Sequence, residues 1–272
     1  MDGGIGFWKT LGAVAIVAVL SFFPLKVVGA ESGYACGTME CDEFKANLHD
    51  KASLQSGAQV YFSYCAGCHS LKYGRYERVA TDLGIPTELA MENLVFDDSK
   101  IGELMEIAMP KAAAKKWFGA APPDLTLVAR LRSPEWLYTY LRNFYIDPSR
   151  PWGVNNRVFK DVGMPHALLE LQGATECSLG PAKAANGGVK RDILTGEDIL
   201  EVHCGRLKIT EPGKLSEDEF NSAVYNLVNF LEYMGEPMTL DRQRMGIYVM
   251  LFLCAFLVFA YLLNREYWKD VH

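Results

Sequence analysis

Cys65-Ala66-Gly67-Cys68-His69 constrains this chain more than any other segment, because C-x-x-C-H is the attachment sequence of a c-type haem. The two thiols add to porphyrin vinyl groups as thioethers, and the imidazole that follows reaches the iron as its proximal ligand. A chain with this pattern must fold around a flat, apolar macrocycle and turn His69 toward it. The competing reading is a buried or disulfide-bonded cysteine pair beside an unrelated histidine. The predicted cofactor is therefore one covalently attached haem c, and the predicted task is to carry an electron.

Two stretches are too apolar for a water-soluble domain, and they lie at opposite ends. The first, about Thr10 to Leu25, follows Lys9 and runs into Val28-Gly29-Ala30, a small-residue cleavage pattern. Residues 1–30 read as a signal peptide, with a retained N-terminal membrane helix as the alternative. The second, Met245 to Leu263, is nineteen residues without a charge, enough to cross a hydrocarbon core of about 30 Å. Tyr248, Tyr261, Tyr267 and Trp268 lie near its ends, where aromatic rings settle among headgroups. Arg242 and Arg244 before it and Arg265 and Lys269 after it give no clear charge bias, so orientation comes from the export signal. Residues 31–244 are then an exported, periplasmic domain, 245–263 the span in contact with lipid, and 264–272 a cytoplasmic tail.

Seven cysteines fit an oxidising compartment. With Cys65 and Cys68 assigned to haem and Cys254 inside the span, Cys36, Cys41, Cys177 and Cys204 remain as disulfide candidates. The favoured pairing is Cys177 with Cys204, whose loop would be worth roughly 3 to 4 kcal/mol in the chain-entropy model. Cys36 with Cys41 is the weaker pairing. Residues 31–244 hold 23 Lys and Arg against 30 Asp and Glu. Acidic groups such as Asp97-Asp98, Glu197-Asp198 and Glu217-Asp218-Glu219 are candidates for steering a basic partner, or are ordinary solvated faces. Nothing points to nucleic acid.

The pattern from Ser53 to Tyr64 is helical and delivers the haem motif at its C-terminal end, with Ser53 as the expected N-cap. Gly57 inside that helix implies close approach by another element. The expected partner is a helix from about Ser216 to Met234, where Phe220, Val224, Leu227, Val228 and Leu231 repeat at three and four behind a Ser216/Glu219 capping box. Lys100 to Lys116 also reads as helical, and Ser133-Pro134-Glu135 opens a further helix. Asp147 to Asn156 reads as turn-rich, and residues 173–214 as a loop insertion with short helical or hairpin pieces.

A c-type haem needs a decision about its sixth coordination position. Met164, in Asp161-Val162-Gly163-Met164-Pro165-His166, is the leading candidate, since Gly163 permits close backbone approach and Pro165 favours extended chain. Met109, followed by Pro110, and His166 are the rivals, and thioether ligation would give the higher potential.

Four motifs in order, Tyr64-Cys65-Ala66-Gly67-Cys68-His69-Ser70, Ala121-Pro122-Pro123-Asp124-Leu125, Val162-Gly163-Met164-Pro165-His166 and Gly235-Glu236-Pro237 through Arg244-Met245-Gly246, resemble the cytochrome c1 family. The resemblance extends over nearly all of the chain after the signal and ends in a C-terminal anchor. It implies a mainly α fold, a class I cytochrome c-like haem domain with loop insertions plus one transmembrane helix. It implies His69 and Met164 as axial ligands, Pro123 packed on the haem and Arg132 at a propionate. It further implies the haem subunit of a quinol–cytochrome c reductase (cytochrome bc1) complex in a bacterial inner membrane. The implied partners are cytochrome b, a Rieske iron–sulfur protein and a cytochrome c acceptor, within a dimeric complex. The alternatives are a stand-alone tethered c-type cytochrome and a haem peroxidase, the latter requiring an open sixth position.

Overall fold

The computed structural model describes residues 35–270 except 38, 97, 182–187, 190, 193 and 199. The signal-peptide reading of residues 1–30 lies outside the described residues. Helix supplies most of the regular structure, in agreement with the mainly α expectation.

The first helix, α1, is Lys51–Tyr64, and its N-cap is Asp50 rather than Ser53. The Asp50 carboxylate accepts from the Ser53 amide at 3.0 Å, which satisfies one of the open donors of the first turn. Ser53 is thereby released for the interior, where its hydroxyl donates to Asn226 Oδ1 at 2.7 Å. Two short helices missing from the sequence reading follow a strand: β1 (Leu71–Arg75), α2 (Tyr76–Leu83) and α3 (Thr87–Asn93).

The expected helix over Lys100 to Lys116 is a correction. Its first half is a turn, closed by the Glu103 amide on the Lys100 carbonyl, leading into β2 (Leu104–Met105), antiparallel to β1, and only α4 (Lys111–Phe118) is helical, with Pro110 as its N-cap. Burial of Met105, 3% exposed, favours pairing with β1 over continuing a helix through Gly102 and Pro110. Then come α5 (Val128–Arg132) and α6 (Pro134–Leu141), the second opened by Ser133, whose hydroxyl accepts from the Trp136 amide, with proline at the first turn.

The turn-rich stretch sits inside a hairpin, β3 (Phe144–Ile146) against β4 (Val154–Asn156). After the one-turn helix α7 (Leu169–Gln172), the described part of residues 173–214 takes up the hairpin option of the sequence reading as one long antiparallel pair, β5 (Gly173–Pro181) with β6 (Leu200–Pro212), broken by two register shifts. Bulges of this kind bend and twist a two-stranded ribbon, and they blur the two-residue alternation that would have marked it in sequence.

The scaffold of the site is α1 packed on α8 (Glu217–Gly235), whose capping box between Ser216 and Glu219 forms as expected. Leu227, Val228, Phe230 and Leu231 of α8 are at most 2% exposed, against Tyr61 and Ala58 of α1. A polar clamp fixes the pairing. Asn229, fully buried, donates to the Asn47 carbonyl and to Ser53 Oγ, and accepts from the Asn47 amide at 2.9 Å. Replacing it by leucine removes three hydrogen bonds together, leaving the Asn47 amide without its acceptor and the Asn47 carbonyl and Ser53 Oγ without their donor. We expect a loss of about 2 to 4 kcal/mol, read as a lower midpoint in denaturant unfolding of the haem domain.

The last helix, α9, is Thr239–Tyr267, and none of its residues is buried. At 1.5 Å per residue it is about 43 Å long, beyond the hydrocarbon thickness. An apolar helix exposed on every side is stable only where lipid covers it, which fits anchoring in a membrane.

At the entry, Cys36 and Cys41 are joined by a disulfide. Gly37, at φ +65°, turns there so tightly that a Cβ would stand 2.9 Å from the Arg157 carbonyl oxygen. Cys177 is disulfide-bonded, and the side chain of Cys204, its expected partner, lies outside the described residues.

Candidate haem site

The attachment motif begins where α1 ends. The Cys65 amide still bonds the Tyr61 carbonyl at 2.8 Å, and the amides of Cys68 and His69 both return to the Cys65 carbonyl at 3.0 and 2.9 Å. This extra turn presents both cysteines and His69 on one side. The Tyr61 hydroxyl locks it by donating to the His69 carbonyl at 2.6 Å. Cys65 and Cys68 are unbridged, and burial, reinforced by Cys68, pushes the Cys65 thiol up to about 12. The motif is therefore no disulfide.

The Pro122-Pro123-Asp124 loop is held against this turn by its own side chains. Asp124 accepts from the amides of Lys72 at 2.8 Å and Thr126 at 3.1 Å, and the Leu125 amide bonds the Ser70 carbonyl. That clamp brings the Pro123 carbonyl to 2.7 Å from His69 Nδ1. A carbonyl only accepts, so Nδ1 carries the proton and Nε2 keeps its lone pair. Burial, the larger influence, holds the imidazole below its ordinary pKa, so the ring is neutral and ready to ligate.

The second wall comes from α6 and the loop after β4. Trp136 stacks on Tyr140 with ring centres 4.8 Å apart, and the Tyr140 hydroxyl donates to Met164 Sδ at 3.4 Å. Two buried asparagines shape the loop that delivers Met164. Asn156 accepts from the amides of Val158 and Phe159 and donates to the Tyr140 carbonyl at 2.8 Å, while Asn155 accepts from the Asp161 amide at 2.8 Å. Asp161 takes a left-handed turn, φ 61°, secured by Arg150 on both its carbonyl and its carboxylate. Neither Tyr140 nor the asparagine pair was singled out from sequence. The Asn155-Asn156 doublet beside a turn is the one available signal, since asparagine side chains close turns on their own backbone.

These walls enclose a cavity of about 370 Å³ lined by Cys65, Cys68, His69, Pro123, Arg132 and Met164, with Leu227 and Leu231 of α8 among its apolar residues. All six candidate haem-contacting residues from the sequence thus meet at one place. Met109 does not line it. His166 does not either: its ring lies flat on Phe144 at 4.8 Å, and burial drives its pKa down to about 4. Arg132 reaches the cavity while its guanidinium stands 5.2 Å from the Trp136 ring centre. Pro123 lines the cavity, and in addition its carbonyl orients His69. A slot with apolar walls, two unbridged thiols and a neutral imidazole whose second nitrogen is already engaged fits a covalently attached haem.

A model of the cytochrome C1 family matches residues 43–175 and 216–271. Cytochrome c1 of Allochromatium vinosum is 49% identical over 226 residues, covering 83% of this chain and 87% of that protein. A Nitrosomonas europaea protein named ammonia monooxygenase gamma subunit is 39% identical over 234 residues, 86% of this chain and 90% of its own length. Cytochrome c1 of Rhodospirillum rubrum is 26% identical over 244 residues, covering 82% and 83%. The interval between the two matched stretches holds most of the β5–β6 hairpin.

Proposed function

The chain belongs to the cytochrome c1 family, and from that premise we propose that it accepts an electron from a Rieske iron–sulfur protein and passes it to a cytochrome c in the periplasm. Membership makes it the haem subunit of the cytochrome bc1 complex, an electron carrier with covalently attached haem c. The observation that carries the site reading is the convergence of both thiols, His69 and Met164 on one apolar cavity.

In this reading Cys65 and Cys68 would hold a haem through thioether bonds, and His69 Nε2 and Met164 Sδ would supply the ligands to its iron. When bound, the haem supplies a reversible one-electron couple whose potential the axial ligands and surroundings set. Pro123 keeps His69 in the ligating tautomer, Tyr140 steadies the Met164 sulfur, and Arg132, at the cavity wall, would pair with a haem propionate. The apolar wall excludes water. Residues 31–244 form the periplasmic haem domain, 245–263 the span and 264–272 the cytoplasmic tail, after a signal peptide over 1–30. The setting is a dimeric complex with cytochrome b in a bacterial inner membrane, and quinol is oxidised on another subunit. Solubilised from its native membrane, the chain should co-purify with a b-type cytochrome and a Rieske centre. Isolation alone, with full turnover of a small molecule, would sink this reading.

The peroxidase alternative is disfavoured by chemistry. Among the described residues no Asp or Glu lines the cavity, so nothing there serves as the acid–base carboxylate for peroxide cleavage. For Tyr140→Phe we expect the thioether–iron absorption to persist and the haem potential to fall by a few tens of millivolts, the one-electron equivalent of about 1 kcal/mol. A hydrogen bond to the sulfur draws electron density away from the iron and favours the reduced state, so its loss lowers the potential. Redox titration followed by absorbance checks this.

A further inference from the structure

The domain is acidic as a whole, yet the mouth of the cavity is not. The exposed residues among the cavity lining are Ala120, Pro123, Phe159 and Gly163, so they mark the opening. Helix α4 runs to this opening, its terminal Phe118 lining the cavity and its carbonyl lying beside Gly163. Lys111, Lys115 and Lys116 on α4 and Lys160 next to Phe159 are all exposed. None of the four is in a described salt bridge.

The nearby acids are engaged elsewhere. Asp161 is paired with Arg150 and Asp124 holds two backbone amides, while Glu106 and Asp124 both act on Lys72. Of the acidic groups singled out in the sequence, Glu219 and Asp198 are engaged elsewhere. Glu219 is taken up by the capping box at the start of α8, eight residues and about 12 Å along the helix from Leu227. Asp198 pairs with Arg191 on the hairpin, and Asp97 lies outside the described residues. Next to Lys116 and Lys160 in the chain stand two exposed aromatic rings, Trp117 at 59% and Phe159 at 46% exposure. Large aromatic side chains inside a charged rim are the composition of a protein docking site.

We propose that this lysine rim is where the electron acceptor docks, and that the acceptor carries an acidic patch around its own redox edge. The proposal rests on the electron-carrier reading and adds to it the chemistry of the partner. Net charge governs approach from afar, but beyond a Debye length of about 8 Å it is screened, so the contacting rim decides which partner is held. An anionic membrane surface matches the charge equally well, yet lipid over the opening would insulate the route by which the electron leaves.

The test uses the solubilised complex with its haem reduced, mixed in stopped flow with two one-electron oxidants of opposite charge. In each case one electron leaves the haem and reduces the metal ion of the probe. Hexacyanoferrate(III), an anion, should react fast at low salt and slow down as salt rises from about 0.01 M to about 1 M. Tris(phenanthroline)cobalt(III), a cation, should speed up over the same range. The triple variant Lys115→Glu, Lys116→Glu, Lys160→Glu should lose about tenfold with the anion at low salt and gain with the cation. An acidic c-type cytochrome should likewise be the faster protein oxidant than a basic one, and the variant should abolish that preference.

Faster reaction with the basic cytochrome, or rates of the parent indifferent to the charge of the probe, would overturn the proposal. So would a variant changed only in its affinity for anionic lipid discs, which would assign the lysines to headgroups. Reduction of the haem by quinol through the complex is measured in the same samples. Its failure in the parent refutes the electron-carrier reading, whereas its persistence with the wrong charge preference refutes the docking surface alone.

Discussion

Met164→Leu should abolish the thioether–iron charge-transfer absorption and lower the haem reduction potential by on the order of 0.1 V, within the ≈ 0.8 V range that axial ligation spans. The side chain keeps its volume and apolar character, so the fold should survive and the change isolates the sulfur. The loop that presents Met164 is built by Asn155, Asn156 and Arg150, none of which depends on the methionine side chain. Met109→Leu serves as the control, since Met109 lies outside the cavity lining, and it should leave spectrum and potential unchanged. An unaltered spectrum in the Met164 variant would remove it as a ligand.

Gly57→Leu should unfold the scaffold that holds the haem. A Cβ at this position overlaps the Asn226 carbonyl oxygen and stands 2.6 Å from its carbon and 2.8 Å from Phe230 Cβ. Those atoms belong to the α8 backbone or its root and cannot rotate away. Even alanine, which in an open helix gains about 1 kcal/mol over glycine, should here destabilise. For leucine we expect at least about 3 kcal/mol, or a fall in Tm of roughly 6 to 12 °C for a domain of this size. Thermal unfolding followed at the haem absorbance measures it, and a stabilised alanine variant would show that α1 and α8 do not meet at this point.

Both predictions begin from residues legible in the sequence, and they show how far that legibility extends. Gly57 inside a helical pattern announced a close neighbour, and the three-and-four repeat of α8 named which helix it is. The Cys65–His69 motif named its chemistry because covalent attachment demands fixed residue types at fixed spacing. The reading failed where burial outweighed local pattern. Lys100 to Lys116 looked helical, but β1 offered Met105 a buried strand partner, and only the part after Pro110 became helix. Hairpin pieces are legible in residues 173–214, but the register shifts of β5–β6 interrupt the alternation that would show their length.

The hydrogen bonds that orient His69 and Met164 are illegible for a different reason. Hydrogen bonds such as Pro123 to His69, Tyr140 to Met164 and Asn156 to Tyr140 join residues 54, 24 and 16 positions apart and leave no periodic trace. The sequence by itself determined the cofactor, its attachment point and the apolar anchor, because each depends on residue identity or composition over a short window. Only the tertiary structure decided which nitrogen of His69 is free, which way Met164 and His166 face, and that exposed lysines of an acidic domain flank residues lining the cavity mouth. Those are properties of distance and burial, which chain order does not encode until the helices pack.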